Sequence, residues 1–168
     1  VKDDSIILSS GTTIHALACN IHSESRLTIV SASLQATMTL AANDNIDIIQ
    51  LGGMVRHSSV SVVGQYSMEI LRGCSFTKLF LGVDGIDLDF GISTTDMREA
   101  ELNRSMMNAA QKTIVLADSS KFGRRGFAKI SGLEDIDIII TDSKIPQFVA
   151  NKIEEMGIEL IIAGSQSM

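Results

Sequence analysis

Proline occurs once in this chain and cysteine twice, against 45% hydrophobic residues over 168 positions. So much apolar content excludes a disordered or low-complexity segment and fits one domain with a real core. The two cysteines, Cys19 and Cys74, lie in apolar stretches without metal-ligand spacing. They predict buried free thiols in a reducing cytosol, and hence a cytoplasmic protein. Basic charge is short as well: Lys and Arg number 14 against 20 Asp and Glu, the net charge is -6, and no basic cluster exceeds Arg124-Arg125. A surface that grips nucleic acid needs a basic face, so this chain is not expected to bind DNA by itself. No apolar run approaches the length of a membrane-spanning helix and no signal peptide opens the chain, so no membrane partner is expected. Three motifs are missing: Gly-x-Gly-x-x-Gly after a strand, Gly-x-x-x-x-Gly-Lys-Ser/Thr, and Gly-x-Ser-x-Gly. Their absence argues against dinucleotides, nucleoside triphosphates and a hydrolase elbow, and no cofactor is expected. The first residue is Val1 rather than Met, which suggests a piece of something longer with function divided between the two.

What is present is alternation. Short runs rich in Ile, Leu and Val occupy 5–8, 27–30, 46–51, 78–83, 113–117, 136–141 and 159–163. Such runs fit strands buried on both faces of a parallel sheet. Between them, 12–21, 34–42, 66–72, 97–111 and 147–156 have helical length and amphipathic spacing. Pro146 suits the first turn of the last helix and Gly157 its C-terminal cap. Strand and helix in alternation predict an α/β fold, a doubly wound and mostly parallel sheet flanked by helices. Two stretches break the pattern: 57–63 reads as a strand or a glycine-hinged loop, and 127–131 as an extra short strand. No composition shift marks a boundary, so 1–164 reads as one domain and 165–168 as a frayed tail.

The chemistry centres on Ser9-Ser10-Gly11-Thr12-Thr13, which joins the first apolar run to the first helix. A strand that turns through small, hydroxyl-bearing residues into a helix presents backbone N–H groups and the positive end of a helix dipole, which attract a phosphate. Gly11 allows close approach, and one of Thr12 and Thr13 is expected to cap the helix. Ligands of open α/β sheets bind beyond the carboxyl ends of the strands. The later strand ends carry Ser31 and Ser33; Gly52, Gly53 and Arg56; Asp84 and Gly85, with Asp87, Gly91, Thr94, Thr95 and Glu99 following; and Asp118 and Lys121. Donors at one end and carboxylates at the other suit a sugar phosphate, with carboxylates accepting from hydroxyls and Lys121 neutralising the phosphate. Each residue also has a structural alternative: Asp-Gly pairs make turns, Asp118 caps a helical turn, and Arg56 and Lys121 are solvated surface charges. His15, His22 and His57 have no Cys or acidic neighbour at ligand spacing, so no metal is expected.

Several ordered stretches resemble a known family. Gly11-Thr12-Thr13, Leu51-Gly52-Gly53, Val63-Gly64, Leu81-Gly82-Val83-Asp84-Gly85-Ile86-Asp87, Glu99-Ala100 and Leu116-Ala117-Asp118-Ser119-Ser120-Lys121-Phe122-Gly123 are similar to signatures of the C-terminal effector-sensing domain of DeoR-family bacterial repressors. The resemblance runs over nearly the whole chain. It implies an N-terminal winged helix-turn-helix that binds operator DNA, a cytoplasmic homo-oligomer, and a phosphorylated sugar effector held near Gly11, Thr12, Thr13, Asp84 and Lys121. Ligand would order the loops around Gly52-Gly53 and Gly123 and lower operator affinity by shifting domain packing. Two positions depart from the family pattern: Ser9 stands where Asp is usual and Ala32 where Asn is usual. The domain is also similar in fold to sugar-phosphate isomerases such as ribose-5-phosphate isomerase. An isomerase would need Glu99, Asp84 or Asp87 as base, but the Lys-Gly-Gly element of that pattern is missing between Asp87 and Glu99. A third reading is a plain oligomerisation domain with a vestigial pocket.

Overall fold

The computed structural model describes residues 4–164; Val1 and the 165–168 tail lie outside them. In chain order the first elements are β1 (Asp4–Leu8), α1 (Thr12–Asn20), β2 (Leu27–Ser31), α2 (Leu34–Leu40), β3 (Ile46–Gln50), β4 (Met54–Arg56), β5 (Ser61–Val63) and α3 (Gln65–Arg72). There follow β6 (Lys78–Gly82), β7 (Gly85–Asp87), β8 (Gly91–Thr94), α4 (Met97–Ala109), β9 (Thr113–Leu116), β10 (Ala128–Ser131), β11 (Ile138–Asp142), α5 (Gln147–Glu155) and β12 (Glu159–Ala163).

The apolar runs form one seven-stranded sheet in the order β12-β11-β9-β6-β1-β2-β3, with every pair parallel. The chain leaves β1 in one direction for β2 and β3, then returns to the other side of β1 for β6 and its successors. The reversal between β1 and β6 opens a crevice at the carboxyl ends of those two strands. Alternation along β1 divides the core in two. Ile6 and Leu8 pack with Ile14 and Ala18 of α1 and Ala36 and Leu40 of α2. Ile7 points the other way, into a larger cluster with Leu71 of α3, Leu102 and Met106 of α4, and Ile153 of α5. The fold is therefore doubly wound.

Both irregular stretches contain strands, β5 within 57–63 and β10 within 127–131. The 57–63 stretch is half of a hairpin: β4 and β5 pair antiparallel with Arg56 opposite Ser61. After the fourth apolar run two short strands that the sequence reading did not assign, β7 and β8, join β10 in a small antiparallel sheet. Each is only three or four residues long, too short for alternation to declare it; antiparallel pairing, local within β4–β5 and β7–β8 and distant only for β8 with β10, makes it a strand. Finally, Cys19 and Cys74 are exposed rather than buried. Cys19 sits on the outer side of α1 beside buried Ala18, and Cys74 follows the end of α3. Pro146 stands one position before α5 rather than inside its first turn, whereas Gly157 closes that helix as expected, its N–H donating to the Glu154 carbonyl at 2.9 Å.

Candidate functional site

A cleft of about 410 Å³ occupies the crevice between β1 and β6. Its floor is the β1–α1 turn. The first residue before α1 is Gly11, with φ 109°, and no side chain caps the helix, so neither Thr12 nor Thr13 takes the expected capping role. Both threonines fall inside the first turn, where a hydroxyl no longer reaches the leading N–H groups as a cap does. The positive end of α1 is thus left to whatever enters the cleft. β6 approaches this turn closely: Gly82 N–H donates to Ser9 Oγ at 2.9 Å, and a Cβ on Gly82 would stand 2.7 Å from the Ser10 carbonyl oxygen.

Two carboxylates face the floor. Asp84 follows β6, and its Oδ2 accepts from Thr94 Oγ1 at 2.9 Å and Thr95 N–H at 3.2 Å. Glu99 lies in the first turn of α4. Its Oε1 accepts from Ser10 Oγ at 3.1 Å; its Oε2 accepts from Thr94 Oγ1 at 2.8 Å and from Arg56. Thr94 has one hydroxyl proton for two carboxylates, so each needs another donor, Arg56 for Glu99 and Thr95 for Asp84. Arg56 and Glu99 are close to buried, their side chains 14% and 13% exposed. Asp96 caps α4 by accepting from Arg98 N–H at 2.9 Å and Glu99 N–H at 3.2 Å, and lies 3.7 Å from Arg56. The Arg98 guanidinium, with those backbone bonds, lowers the Asp96 pKa to about 2.

Lys121 closes the opposite wall, on a short helical turn, Ser119–Lys121, after β9. The turn is held from both sides. Asp118 accepts Ser120 N–H at 2.9 Å and Asp142 accepts Ser119 N–H at 2.8 Å. Both carboxyls are held below the usual range, Asp118 chiefly by the Ser120 side chain and then its N–H, Asp142 chiefly by the Ser119 N–H.

Of the residues singled out from the sequence, Ser10, Gly11, Thr12, Thr13, Arg56, Asp84, Glu99 and Lys121 line one cleft. Ser31, Ser33, Gly52, Gly53, Gly85 and Asp118 do not line it. Ser31 and Ser33 are buried and bond to backbone: Ser31 Oγ accepts Ser33 N–H, and Ser33 Oγ accepts Ala36 N–H as the cap of α2. Gly52 accepts Ser67 Oγ near the hairpin base, and Gly85 packs against the Arg124 backbone. Ser9 and Ala32, the two departures from the family pattern, are buried beneath the cleft. The sequence reading missed Gln35, Ser58, Ser59 and Val60, which reach the cleft from α2 and the hairpin tip. No motif surrounds them; only the pairing of β4 with β5 brings the tip across. Among the described residues, no group of three or more His, Cys, Asp or Glu side chains is placed to hold a metal, and no helix is long and apolar enough to cross a membrane.

Comparison with known proteins identifies the family and the fold. A model of the DeoR C terminal sensor domain matches residues 1–143. The putative aga operon transcriptional repressor of Escherichia coli O157:H7 is 35% identical over 159 residues, 95% of this chain and 59% of that protein. The transcriptional regulator GolR of Listeria innocua is 30% identical, over 96% of this chain and 64% of its own length. The glycerol-3-phosphate regulon repressor of Haemophilus influenzae is 25% identical, over 96% and 63% respectively. This chain thus spans 59–64% of the length of these curated relatives. Among solved structures, ribose 5-phosphate isomerase A of Methanocaldococcus jannaschii aligns with a TM-score of 0.50 at 17% identity, over 73% of this chain and 48% of the enzyme. The eIF2B beta subunit of Chaetomium thermophilum aligns at 0.51 and 13%, over 82% and 43%. These two likenesses establish a shared fold alone. With the family model covering most of its residues, the chain belongs to the DeoR C-terminal sensor domain family.

Proposed function

We propose that this chain senses a phosphorylated sugar on behalf of a transcriptional regulator of sugar catabolism. The observation that carries this reading is the convergence, at the switch point of the sheet, of the uncapped end of α1, Lys121 and the Asp84 carboxylate. The phosphate lies against the α1 N–H groups and Lys121; a sugar hydroxyl donates to Asp84 Oδ1, the oxygen that accepts nothing from the described residues. Relatives named as repressors of an aga operon and of a glycerol-3-phosphate regulon support this class of effector. DNA contact belongs to a helix-turn-helix domain N-terminal to this chain, in a cytoplasmic homo-oligomer. Ligand alters operator affinity only by as much as it prefers one conformation over the other.

The same geometry disfavours catalysis. Three of the four acceptor sites of the Glu99 carboxylate already hold protein donors, one on Oε1 and two on Oε2, which weakens it as a base toward a sugar carbon. The test is a thermal-shift screen of the chain against sugar phosphates and their unphosphorylated parents. A cognate ligand at about a hundred times its Kd should stabilise by about 2.7 kcal/mol, its parent should give no shift, and no product should form. Lys121→Ala should weaken the phosphorylated ligand by about tenfold or more and leave the fold intact. Equal shifts with sugar and sugar phosphate, or turnover of ribose 5-phosphate, would overturn the reading.

A further inference from the structure

The β4–β5 hairpin differs from the rest of the cleft wall. Its β5 side is fixed: Val62 and Val63 are core residues, Val62 N–H donates to the Ala32 carbonyl at 2.9 Å, and the Val60 carbonyl accepts from Leu34 N–H at 3.0 Å. Its β4 side has no further strand beyond it and exposes Met54 and Val55. Gly53 and Gly64, at φ 146° and 119°, flank the hairpin. Val60, at the tip, is the one non-glycine residue with a left-handed backbone among those described, φ 46°. A β-branched residue holds that conformation only under constraint. What binds β4 to the body is mainly charge. Arg56 pairs with Glu99 and Asp96 of the α4 start, beside one contact from Arg98 to Met54 Sδ at 3.1 Å.

The charges lining the cleft make this tie conditional. Arg56 and Lys121 face Asp84 and Glu99, two cations against two carboxylates, and Asp96 beside Arg56 is itself paired with Arg98, so Arg56 is already committed to carboxylates before any ligand arrives. A phosphate dianion reaching the α1 end sits beside the Glu99 carboxylate, since Ser10 of that same turn is bonded to Glu99. Like charges at that range repel, and a guanidinium, with its fork of donors, binds a dianion more strongly than a carboxylate. Buried ion pairs add little net stability but serve well as two-state devices.

Resting on the phosphate reading of the cleft, we propose that the Arg56–Glu99 pair is a latch. It holds β4 to α4 until a phosphate takes the guanidinium from Glu99, and the β4 side of the hairpin then follows Arg56 to the ligand. The β4 surface with Met54 and Val55 moves with it, which carries occupancy of the cleft to the outside of the domain.

The test is calorimetric titration of this chain with inorganic phosphate, for wild type, Glu99→Gln, Arg56→Gln and the double variant, together with hydrogen exchange over 54–63. If Glu99 competes with phosphate for Arg56, Glu99→Gln tightens phosphate by about tenfold, and that gain vanishes in the Arg56→Gln background. Phosphate changes hairpin exchange in wild type and not in Arg56→Gln. Weaker binding in Glu99→Gln would show that Glu99 only props Arg56 in place; the latch falls and the cleft reading stands. Equal tightening in both backgrounds is plain charge removal and also overturns the latch. Phosphate binding to neither wild type nor Glu99→Gln overturns the cleft reading and the latch together. Should Glu99→Gln not fold, Arg56→Gln decides alone: hairpin exchange unchanged from wild type refutes the latch.

Discussion

Two strand-to-helix turns lie side by side at the carboxyl edge of the sheet, built from the same kinds of residue and put to different ends. After β2, Ser33 has an extended backbone and caps α2 through Ala36 N–H at 3.2 Å, while Ser31 Oγ accepts Ser33 N–H at 3.1 Å. Every hydroxyl there turns inward. After β1, Gly11 stands in the capping position with no side chain to offer, and Thr12 and Thr13 remain exposed on the cleft floor. A capped helix end satisfies its own donors; an uncapped one leaves them for a ligand. The lesson has a limit inside the molecule. α3 also begins on a glycine, Gly64, without a side-chain cap, yet lies outside the cleft. What sets α1 apart is the company of Lys121, Asp84 and Arg56.

The sharpest way to break the β1 turn is Gly82→Ala. Its Cβ would meet the Ser10 carbonyl at 2.7 Å and Ile14 Cγ1 at 3.3 Å. Forcing these apart should cost about 1–3 kcal/mol in urea unfolding and abolish phosphate binding. An unchanged midpoint would show that the turn is looser than drawn. Gly11→Ala comes next. No atom lies within 4 Å of its Cβ, so the cost is purely that of placing a side chain at φ 109°. We expect a loss of about 1–2 kcal/mol, with phosphate binding weakened as the α1 donors tilt. Ser33→Ala should cost about 1 kcal/mol through loss of the α2 cap, and phosphate affinity should stay at the wild-type value. A matching loss of affinity would erase the contrast between the two turns.

The smallest expected effect is one of pH. α4 is capped by a carboxylate, Asp96, whose pKa of about 2 lies below the unfolded value, about 3.9. A depressed carboxylate contributes stability fully above the unfolded pKa and loses it as pH falls through the folded one. Stability should therefore decline between about pH 4 and pH 2, and Asp96→Asn should remove its share of that decline, alongside those of Asp87, Asp118 and Asp142, while retaining much of the cap. Melting temperatures across this range give the measurement. No such acid step should come from α1, whose cap has no titrating group.

Legibility followed burial and length. The runs around Ile6-Ile7-Leu8, Leu79–Leu81 and Ile138–Ile140 are apolar because central strands of a parallel sheet bury both faces, and they were readable for that reason. β7 and β8, three and four residues long, were not, since runs so short carry no readable alternation and the β10 partner of β8 lies far along the chain. The strand ends disclosed Asp84, Lys121 and the Gly11 turn by position. They did not disclose which hydroxyls turn inward, so Ser31 and Ser33 read the same as Ser10 and Thr12 although the structure uses them as braces.

The sequence by itself determined the α/β class, the small-residue turn before α1 and the family, because each rests on local pattern: apolar period, small residues before a helix, and motifs in order. The tertiary structure alone decided the place of the site, since the strand order that sets β6 against β1 is absent from any local window. It also decided the partner of Arg56, Glu99, which stands 43 residues away along the chain. A charge finds its counter-charge through space, and only the fold specifies which carboxylate lies within reach.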